Sequence, residues 1–303
     1  MLSFWYTAQN LLDGQARGME RTEYEVMAAV ESRHWWYGGM RAIAAALLDE
    51  VYAGRRDLRI LDAGCGTGGN AVFLRRYGSV AAVDLAPEAA LFGGERLRGA
   101  LTRATVLALP FVDACFDLVT SFEVLYHRGV PDEATALRET WRVLRPGGRL
   151  LLRLPAFEWL RGRHDRAVHG RRRYTIDDVQ TLLQSQRFVI ERISYVNTLL
   201  LPFPLVQRLI ERLLPDAADD RSDLQLPPAL LNKVLRWPLA AEAAWIARGG
   251  SFPVGLSVIC RARKDQAAVD RAEMTLQNIR GDNRFASLPP TGSDHAWDAH
   301  APQ

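Results

Sequence analysis

The residues with the clearest potential for chemistry lie in a glycine-rich stretch that reads ILDAGCGTGG and includes Asp62. Glycine repeated this closely predicts a tight turn, or a ligand pressed against the backbone. Gly64, Gly66 and Gly69 fit the dinucleotide-binding pattern G-x-G-x-x-G. A second nucleoside-binding pattern, D-x-G-x-G-x-G, begins at Asp62 and ends at Gly68. The stretch alone is therefore compatible with two kinds of cofactor.

Two carboxylates bear on the choice between these cofactors. Asp84 comes twenty residues after Gly64, at the end of the apolar run SVAAVDL. A carboxylate there can accept hydrogen bonds from both ribose hydroxyls of either cofactor. Asp62 stands where a dinucleotide-binding chain usually has an apolar residue, and its charge would repel a pyrophosphate but suit a cationic ligand. Asp62 therefore argues against an NAD(P)-dependent oxidoreductase, which stays as an alternative.

Apolar segments that alternate with helical segments must position these residues. The sequence predicts strands at 58–64, 79–85, 104–109, 116–122, 149–155, 187–196 and 254–263. An amphipathic helix is predicted over 132–144, where Pro146 and the glycines after it provide a stop signal. Near-continuous apolar strands separated by helices predict an α/β fold with a parallel sheet covered on both faces. Ligands of such sheets bind beyond the carboxyl ends of the strands, where the glycine turn should lie.

Composition narrows the class of protein further. The chain has 303 residues, of which 48% are hydrophobic, so it can bury a sizeable core. Its net charge of +3 and its short basic run are a poor match for nucleic acid. Cys65, Cys115 and Cys260 have no disulfide or metal-site spacing, and no signal peptide or membrane span is evident. We expect a cytoplasmic protein without a metal.

The ordered set of motifs resembles one known family. ILDAGCGTGG, AAVDL, ALPF, FDLV, EVLYH and RVLRPGG occur in that order between about residues 58 and 155. The set resembles the class I S-adenosylmethionine-dependent methyltransferases. The resemblance implies a doubly wound, Rossmann-like sheet of seven strands with added helices, in which the last strand, here 254–263, is antiparallel. It also implies S-adenosylmethionine as the cofactor.

The resemblance assigns residues to the cofactor by position. They are Asp62, Ala63, Gly64, Cys65, Gly66, Gly68, Asp84, Leu85, Leu107 and Glu123. The loop from Asp62 to Gly68 would surround the methionine part, Asp84 would take the ribose hydroxyls, and Leu85 and Leu107 would border the adenine. Thr105 departs from the family, which often has an acidic residue there to accept the adenine amino group.

Candidate catalytic and acceptor-binding residues follow the fourth and fifth strands. His127 ends the fourth strand and is predicted to act as a general base, or else to be a packing residue. The segment RGRHDRAVHGRRRY places His164 next to Asp165, predicted to be catalytic. His169, Arg173 and Tyr174 are predicted to bind the acceptor, because arginine can hold an anionic group. The alternative is a solvated basic loop.

Residues outside the core predict additional helical parts. The proposed organisation is an N-terminal helical lid (1–50), a cofactor-binding core (51–196), a helical acceptor cap (197–250), the last core strand (251–264), and a helix followed by a disordered tail (265–303). The aromatic motif HWWYGGM, at 34–40, is either helix core or part of a lid that Gly38 and Gly39 allow to move. The amphipathic stretches at 199–214 and 230–247 either cap the acceptor or contact a membrane.

These observations predict an S-adenosylmethionine-dependent methyltransferase that acts on a small-molecule or lipid-like acceptor. Oxygen is slightly favoured as the methylated atom, because histidines are available as bases. A binding protein that keeps the fold without catalysis is the second alternative, and the Thr105 departure is the feature in its favour.

Overall fold

A computed structural model gives the fold of residues 21–162, 165, 168–203, 205 and 227–265. The predicted tail, most of the stretch at 199–214, the first part of the predicted lid and His164 lie outside the described residues.

Seven strands among the described residues form one mixed sheet in the order β3-β2-β1-β4-β5-β7-β6. The strands are β1 Leu58–Ala63, β2 Gly78–Asp84, β3 Leu101–Arg103, β4 Phe116–Phe122, β5 Leu144–Pro155, β6 Phe188–Val196 and β7 Ser257–Lys264. β1 to β5 pair in parallel, whereas β7 runs antiparallel to both β5 and β6. The predicted sheet with an antiparallel last strand is confirmed.

Helices cover both faces of this sheet. They are α1 Arg21–Val30, α2 Trp35–Tyr52, α3 Gly69–Leu74, α4 Pro87–Gly93, α5 Glu133–Val143, α6 Ile176–Ser185, α7 Ala229–Val234 and α8 Arg236–Ala247. Side chains cap the N-termini of some of these helices. His34 caps α2 by accepting the Trp36 N–H (3.2 Å), and Thr175 and Asp178 form a capping box at α6. No helix in the described part of the chain is long and apolar enough to cross a membrane.

Two buried apolar clusters hold the layers together. Leu137 of α5 and Leu183 of α6 pack with Leu150 on one side of the sheet. Ile43 of α2 packs on the other side with side chains of β1, β4 and α8. Burial on both faces explains why the central strands are apolar at nearly every position.

Two local predictions differ from the structure. The run ATVLAL, at 104–109, is a loop rather than a strand, and β3 ends at Arg103. In this loop the Thr105 hydroxyl accepts the Leu107 N–H (3.2 Å), and Glu139 accepts the Leu109 N–H (2.8 Å). These side-chain acceptors satisfy donors that a strand would have paired with a neighbouring strand. The second difference is that β5 begins at Leu144, before the predicted start at residue 149. The helix α2 continues through Gly38 and Gly39, which agrees with the helix-core interpretation of HWWYGGM.

Candidate active site

A glycine loop connects β1 to α3 at the carboxyl edge of the sheet. Gly64, Gly66 and Gly68 have φ values of 85°, 53° and 87°, which side chains rarely adopt. A Cβ atom at Gly64 would also overlap Val124, and one at Gly68 would lie 2.7 Å from Leu97. Backbone conformation and close packing therefore both require glycine here.

Asp84, at the end of β2, holds this loop in place. Its Oδ2 accepts the Gly66 N–H at 2.8 Å, and its Oδ1 accepts the Ala86 N–H at 2.9 Å. The hydroxyl of Tyr24 lies 3.5 Å from Oδ1. Burial raises the pKa of Asp84, and the two N–H donors oppose that shift. A carboxylate has about four lone-pair positions, so these contacts do not exhaust its capacity to accept hydrogen bonds.

Asp62 lies at the end of β1, next to the loop, and is fully buried. Its Oδ1 accepts a hydrogen bond from the Thr120 hydroxyl at 2.8 Å. Among the described residues, its Oδ2 has no hydrogen-bond partner although it is buried. Burial raises the pKa of Asp62 to about 7, and the charge of Asp84 adds to this effect. An unsatisfied buried carboxylate oxygen is costly, so this position is suited to a ligand that brings a cation or an N–H donor.

The N-terminal helices cover the glycine loop from outside. The Met27 methyl group would lie 3.1 Å from a Cβ at Gly66, and Tyr24 of the same helix is buried over Asp84. Glu31 is buried against Gly69. The predicted lid region thus supplies side chains to the loop itself.

A groove of about 460 Å³ opens between α2 and α3, beside Gly69. Arg41, Arg76 and Arg96 line it together with Glu31. Glu31 forms an ion pair with Arg96, and the Arg41 guanidinium donates to the Glu31 carbonyl at 2.6 Å. Three guanidinium groups with one carboxylate make this groove positive, which suits an anionic group next to the loop.

Glu123 follows β4 and connects several parts of the site. It has φ 58°, an unusual conformation for a residue with a side chain. Its carboxylate pairs at 3.0 Å with the buried Arg153, whose guanidinium lies 5.3 Å from the ring centre of Trp36. His127 Nε2 is 3.0 Å from the Glu123 carbonyl. Because a carbonyl only accepts, Nε2 carries the hydrogen in the neutral ring, and Nδ1 is the nitrogen that can take a proton.

The predicted acceptor-binding residues lie beside His127, since His127 and Gly170 form a β-bridge. Within this segment Asp165 and Arg173 bind each other through two hydrogen bonds of 2.8 and 3.1 Å. Arg173 also donates to the Ala156 carbonyl at 3.0 Å. Much of the hydrogen-bonding capacity of the Arg173 guanidinium is therefore directed into the protein.

His169 and Tyr174 do not form one cluster with this pair. His169 has φ 51°, and its carbonyl accepts the Arg128 N–H at 3.0 Å. Tyr174 is fully buried, and its hydroxyl donates to Glu133 at 2.7 Å. The acceptor-binding roles of these residues stay predictions.

The remaining sequence-predicted cofactor residues lie at or after the ends of β1, β2 and β3. Ala63 and Cys65 are buried, and burial raises the pKa of the Cys65 thiol. Leu85 follows Asp84 directly, and Leu107 lies in the loop after β3. The contact of Val124 with Gly64 brings the residue after Glu123 to the same place.

Sequence reasoning missed the side chains that α1, α2 and β5 contribute. Tyr24, Met27 and Arg41 lie in segments whose residue spacing indicates only a helix, so the sequence does not mark them as site residues. Arg153 had such a signal, because it interrupts the apolar strand RLLLRLP and must be buried with a partner.

Comparison with known proteins agrees with this geometry. Residues 61–152 match the model of a family described as a methyltransferase domain. This part of the chain is therefore similar to the methyltransferases. The matched residues include the glycine loop, Asp84 and Glu123.

Two proteins similar to this chain are named for ubiquinone or menaquinone biosynthesis. A ubiquinone biosynthesis O-methyltransferase of Xanthomonas oryzae pv. oryzae is 37% identical over 149 residues, covering 44% of this chain and 60% of the relative. A ubiquinone/menaquinone biosynthesis C-methyltransferase of Pectobacterium carotovorum is 34% identical over 166 residues, covering 48% and 65%. The chain thus spans less than two thirds of either relative.

A solved structure has the same fold. It is a chain of the complex between the Haloferax volcanii Trm112 methyltransferase activator and a methyltransferase. The TM-score is 0.50 at 17% identity, and the match covers 81% of this chain and 97% of that one. At this identity the likeness concerns the fold alone.

Proposed function

We propose that this protein transfers a methyl group from S-adenosylmethionine to a small-molecule or lipid-like acceptor. The observation that supports this function best is the glycine loop closed by Asp84, with the unpartnered oxygen of Asp62 beside it. The buried carboxylate of Asp62 next to the loop would repel a phosphate, so a cofactor without phosphate fits this loop better.

The residues around the loop fit the polar groups of this cofactor one by one. Asp84 would accept from the ribose hydroxyls, and Asp62 would face the amino group of the methionine part. Arg41, in the positive groove beside Gly69, would hold the methionine carboxylate. When bound, S-adenosylmethionine supplies an electrophilic methyl group on a positively charged sulfur.

The protein's own contribution is to align the reactants and keep water away. Tyr24 and Met27 cover the loop, which excludes water from its outer side. The ion pair between Glu123 and Arg153 holds the residue to whose carbonyl the His127 ring is bonded. His127 Nδ1 would take a proton from an acceptor hydroxyl, a role that typically contributes a factor of about 10² to 10⁴ in rate.

A lipid-like acceptor and methylation on oxygen are the finer parts of the proposal. Two relatives carry ubiquinone biosynthesis in their names, one as an O-methyltransferase and one as a C-methyltransferase. The position of His127 favours oxygen, because carbon and amine acceptors have less need of a base there. His169, Arg173 and Tyr174, with Asp165 and His164, would border the acceptor. A lipid-like acceptor also implies peripheral contact with a membrane.

Calorimetric titration tests the cofactor assignment. S-adenosylmethionine and NADH are titrated separately into the wild type, Asp84→Asn and Asp57→Asn. Asp57 is an exposed carboxylate paired with Arg55, so its variant controls for loss of charge. We expect binding of the methyl donor alone, lost at Asp84→Asn and kept at Asp57→Asn. Binding of NADH, or of neither compound, would contradict the proposal.

Methyl transfer itself is tested with a tritiated methyl donor and a prenylated phenol in detergent micelles. The methyl ether of the same phenol is the matched control, because it lacks the hydroxyl. We expect label to enter the phenol and not the ether. Transfer to both compounds would indicate carbon as the acceptor atom, and transfer to neither, with the donor bound, would contradict this acceptor class.

A further inference from the structure

The outer face of α7 and α8 is apolar and exposed. Leu230 and Trp237 are 76% and 73% exposed, and Val234 between them is also exposed. Their spacing of four and three residues places them on one side of a helix. Leu235, which joins the two helices, is itself helical (φ −65°, ψ −14°), so the spacing continues across the junction. We call these three side chains the outer stripe.

The opposite side of α8 is fixed to the core, so the outer stripe cannot turn inward. Leu239, Ala243 and Ile246 are buried against the cluster that contains α2. Glu242 is fully buried, and its two carboxylate oxygens accept the N–H groups of Asn197 and Leu199, both at 2.8 Å. A rotation of the helix would bury the stripe only by breaking these bonds.

A second anchor holds the start of the helix pair. The Asn232 side chain accepts the Trp35 N–H at 2.8 Å and donates to the Arg33 carbonyl at 2.9 Å. Both bonds join α7 to the beginning of α2. The exposure of the outer stripe is therefore a fixed feature of the packing.

The charges around the outer stripe have one sign. Between residues 227 and 250, all of which the structure describes, the charged residues are Lys233, Arg236, Glu242 and Arg248. The three basic residues are exposed, whereas Glu242 is buried at its anchor. Within residues 227–250, an apolar stripe with tryptophan is thus accompanied by basic exposed charges, which is the composition of helices that lie in a lipid headgroup region.

Further exposed apolar side chains lie next to this helix pair. Leu199, whose backbone is bonded to Glu242, is exposed, and Phe203 after it is 68% exposed. Trp245 of α8 is exposed as well. Monomeric proteins seldom leave so many large apolar groups in one region unless it binds a partner.

We propose that the outer stripe docks this protein on an anionic lipid bilayer, with Lys233 and Arg248 contacting the headgroups. Charge complementarity selects this occupant, since these basic charges match acidic headgroups and would repel those of a second copy. Because α8 packs on α2, which carries Trp36 and Arg41, docking would bring the candidate active site close to the membrane surface.

Vesicle co-sedimentation of the full chain, without cofactor or acceptor, tests this inference. Its failure would count against membrane contact, and methyl transfer itself is tested separately by the calorimetric and labelling experiments above. The vesicles are phosphatidylcholine alone, or phosphatidylcholine with about a quarter phosphatidylglycerol. The variants are Trp237→Ser, Lys233→Gln with Arg248→Gln, and Val112→Ser as a matched control. Val112 is 75% exposed and lies in the loop before β4.

We expect binding to anionic vesicles that is weaker on phosphatidylcholine alone and falls at high salt. Trp237→Ser should lower the partition coefficient at least about tenfold, because burying a large apolar side chain in the bilayer contributes at least that factor to binding. The double charge variant should weaken binding to anionic vesicles only, and Val112→Ser should bind like the wild type. Circular dichroism and light scattering confirm folding and the oligomeric state of each variant.

Any one of three results would overturn the proposal. One is no sedimentation of the wild type with anionic vesicles at low salt. The others are equal binding of Trp237→Ser and wild type, and a wild-type dimer that Trp237→Ser dissociates, because either would assign the stripe to another role.

Discussion

The buried carboxyl of Asp62 links the stability of this protein to its cofactor. Burial raises the pKa of Asp62 from 3.8 to about 7, so the folded state holds this proton more tightly than the unfolded state. The contribution of Asp62 to stability is therefore greatest at low pH and is lost as pH rises from about 4 to about 7. A tenfold change in an equilibrium is worth about 1.4 kcal/mol, so ionisation of Asp62 should lower the free energy of unfolding by about 4 kcal/mol.

Asp62→Asn isolates this effect, because asparagine has nearly the same shape and does not ionise. Urea unfolding of both proteins without cofactor is measured between about pH 4 and about pH 8. The wild type should lose about 4 kcal/mol relative to the variant across this range, with no further loss above pH 8. Other titrating groups are common to both proteins and cancel in the difference.

Thr120→Val provides a second, directional check. The Thr120 hydroxyl donates to Asp62 and favours the charged form. Removing it should raise the pKa of Asp62 further, so the loss of stability should extend to higher pH than in the wild type.

The same carboxyl should make cofactor binding depend on pH. An amino group facing Asp62 favours the ionised form, so S-adenosylmethionine should bind more weakly below pH 7 and release a proton on binding near pH 6. Calorimetry in buffers of different ionisation enthalpy measures that proton. If the free energies of unfolding of wild type and Asp62→Asn change in parallel from about pH 4 to about pH 8, burial does not raise the pKa of Asp62 and the reasoning is refuted.

Two further predictions concern the loop and the groove. Gly64→Ala should lower the thermal unfolding temperature more than Gly99→Ala does. Both glycines have positive φ, but only Gly64 has a close neighbour, Val124. Equal losses would show that packing against Val124 does not contribute. Arg41→Gln should weaken S-adenosylmethionine binding about tenfold in calorimetry. Arg76→Gln lies in the same groove, but its arginine is stacked on aromatic rings, so this change should affect binding little. Equal effects of the two variants would mean that only the net charge of the groove matters.

The sheet could be predicted because its information is local and repeated. Each central strand is a short apolar run, and the helix before β5 ends just ahead of Pro146 and Gly147. The error at 104–109 has a local cause as well. Apolar residues there satisfy the pattern of a strand, but Thr105 and Glu139 take the backbone donors that a strand needs.

In the candidate site too, the residues fixed by local sequence could be predicted and those brought in by tertiary packing could not. The glycine loop and Asp84 could be predicted from the sequence because the motif fixes their relative positions within one strand–helix–strand unit. Tyr24, Arg41 and Arg153 reach the site through tertiary packing of helices and strands far apart in sequence, and no spacing rule connects them to the motif. The pairing of Asp165 with Arg173 belongs to this second group, although both residues were singled out.

The two glycines of HWWYGGM show how one motif can hold two interpretations until packing decides between them. As a hinge they would break α2, yet the helix continues, and a Cβ at Gly39 would overlap Leu239 of α8. Gly39 therefore allows α2 and α8 to approach closely. That approach buries one face of α8 and leaves the outer stripe exposed, while Trp36 and Arg41 of α2 face the candidate active site. One small residue thus permits the packing of α2 on α8 that leaves the outer stripe exposed.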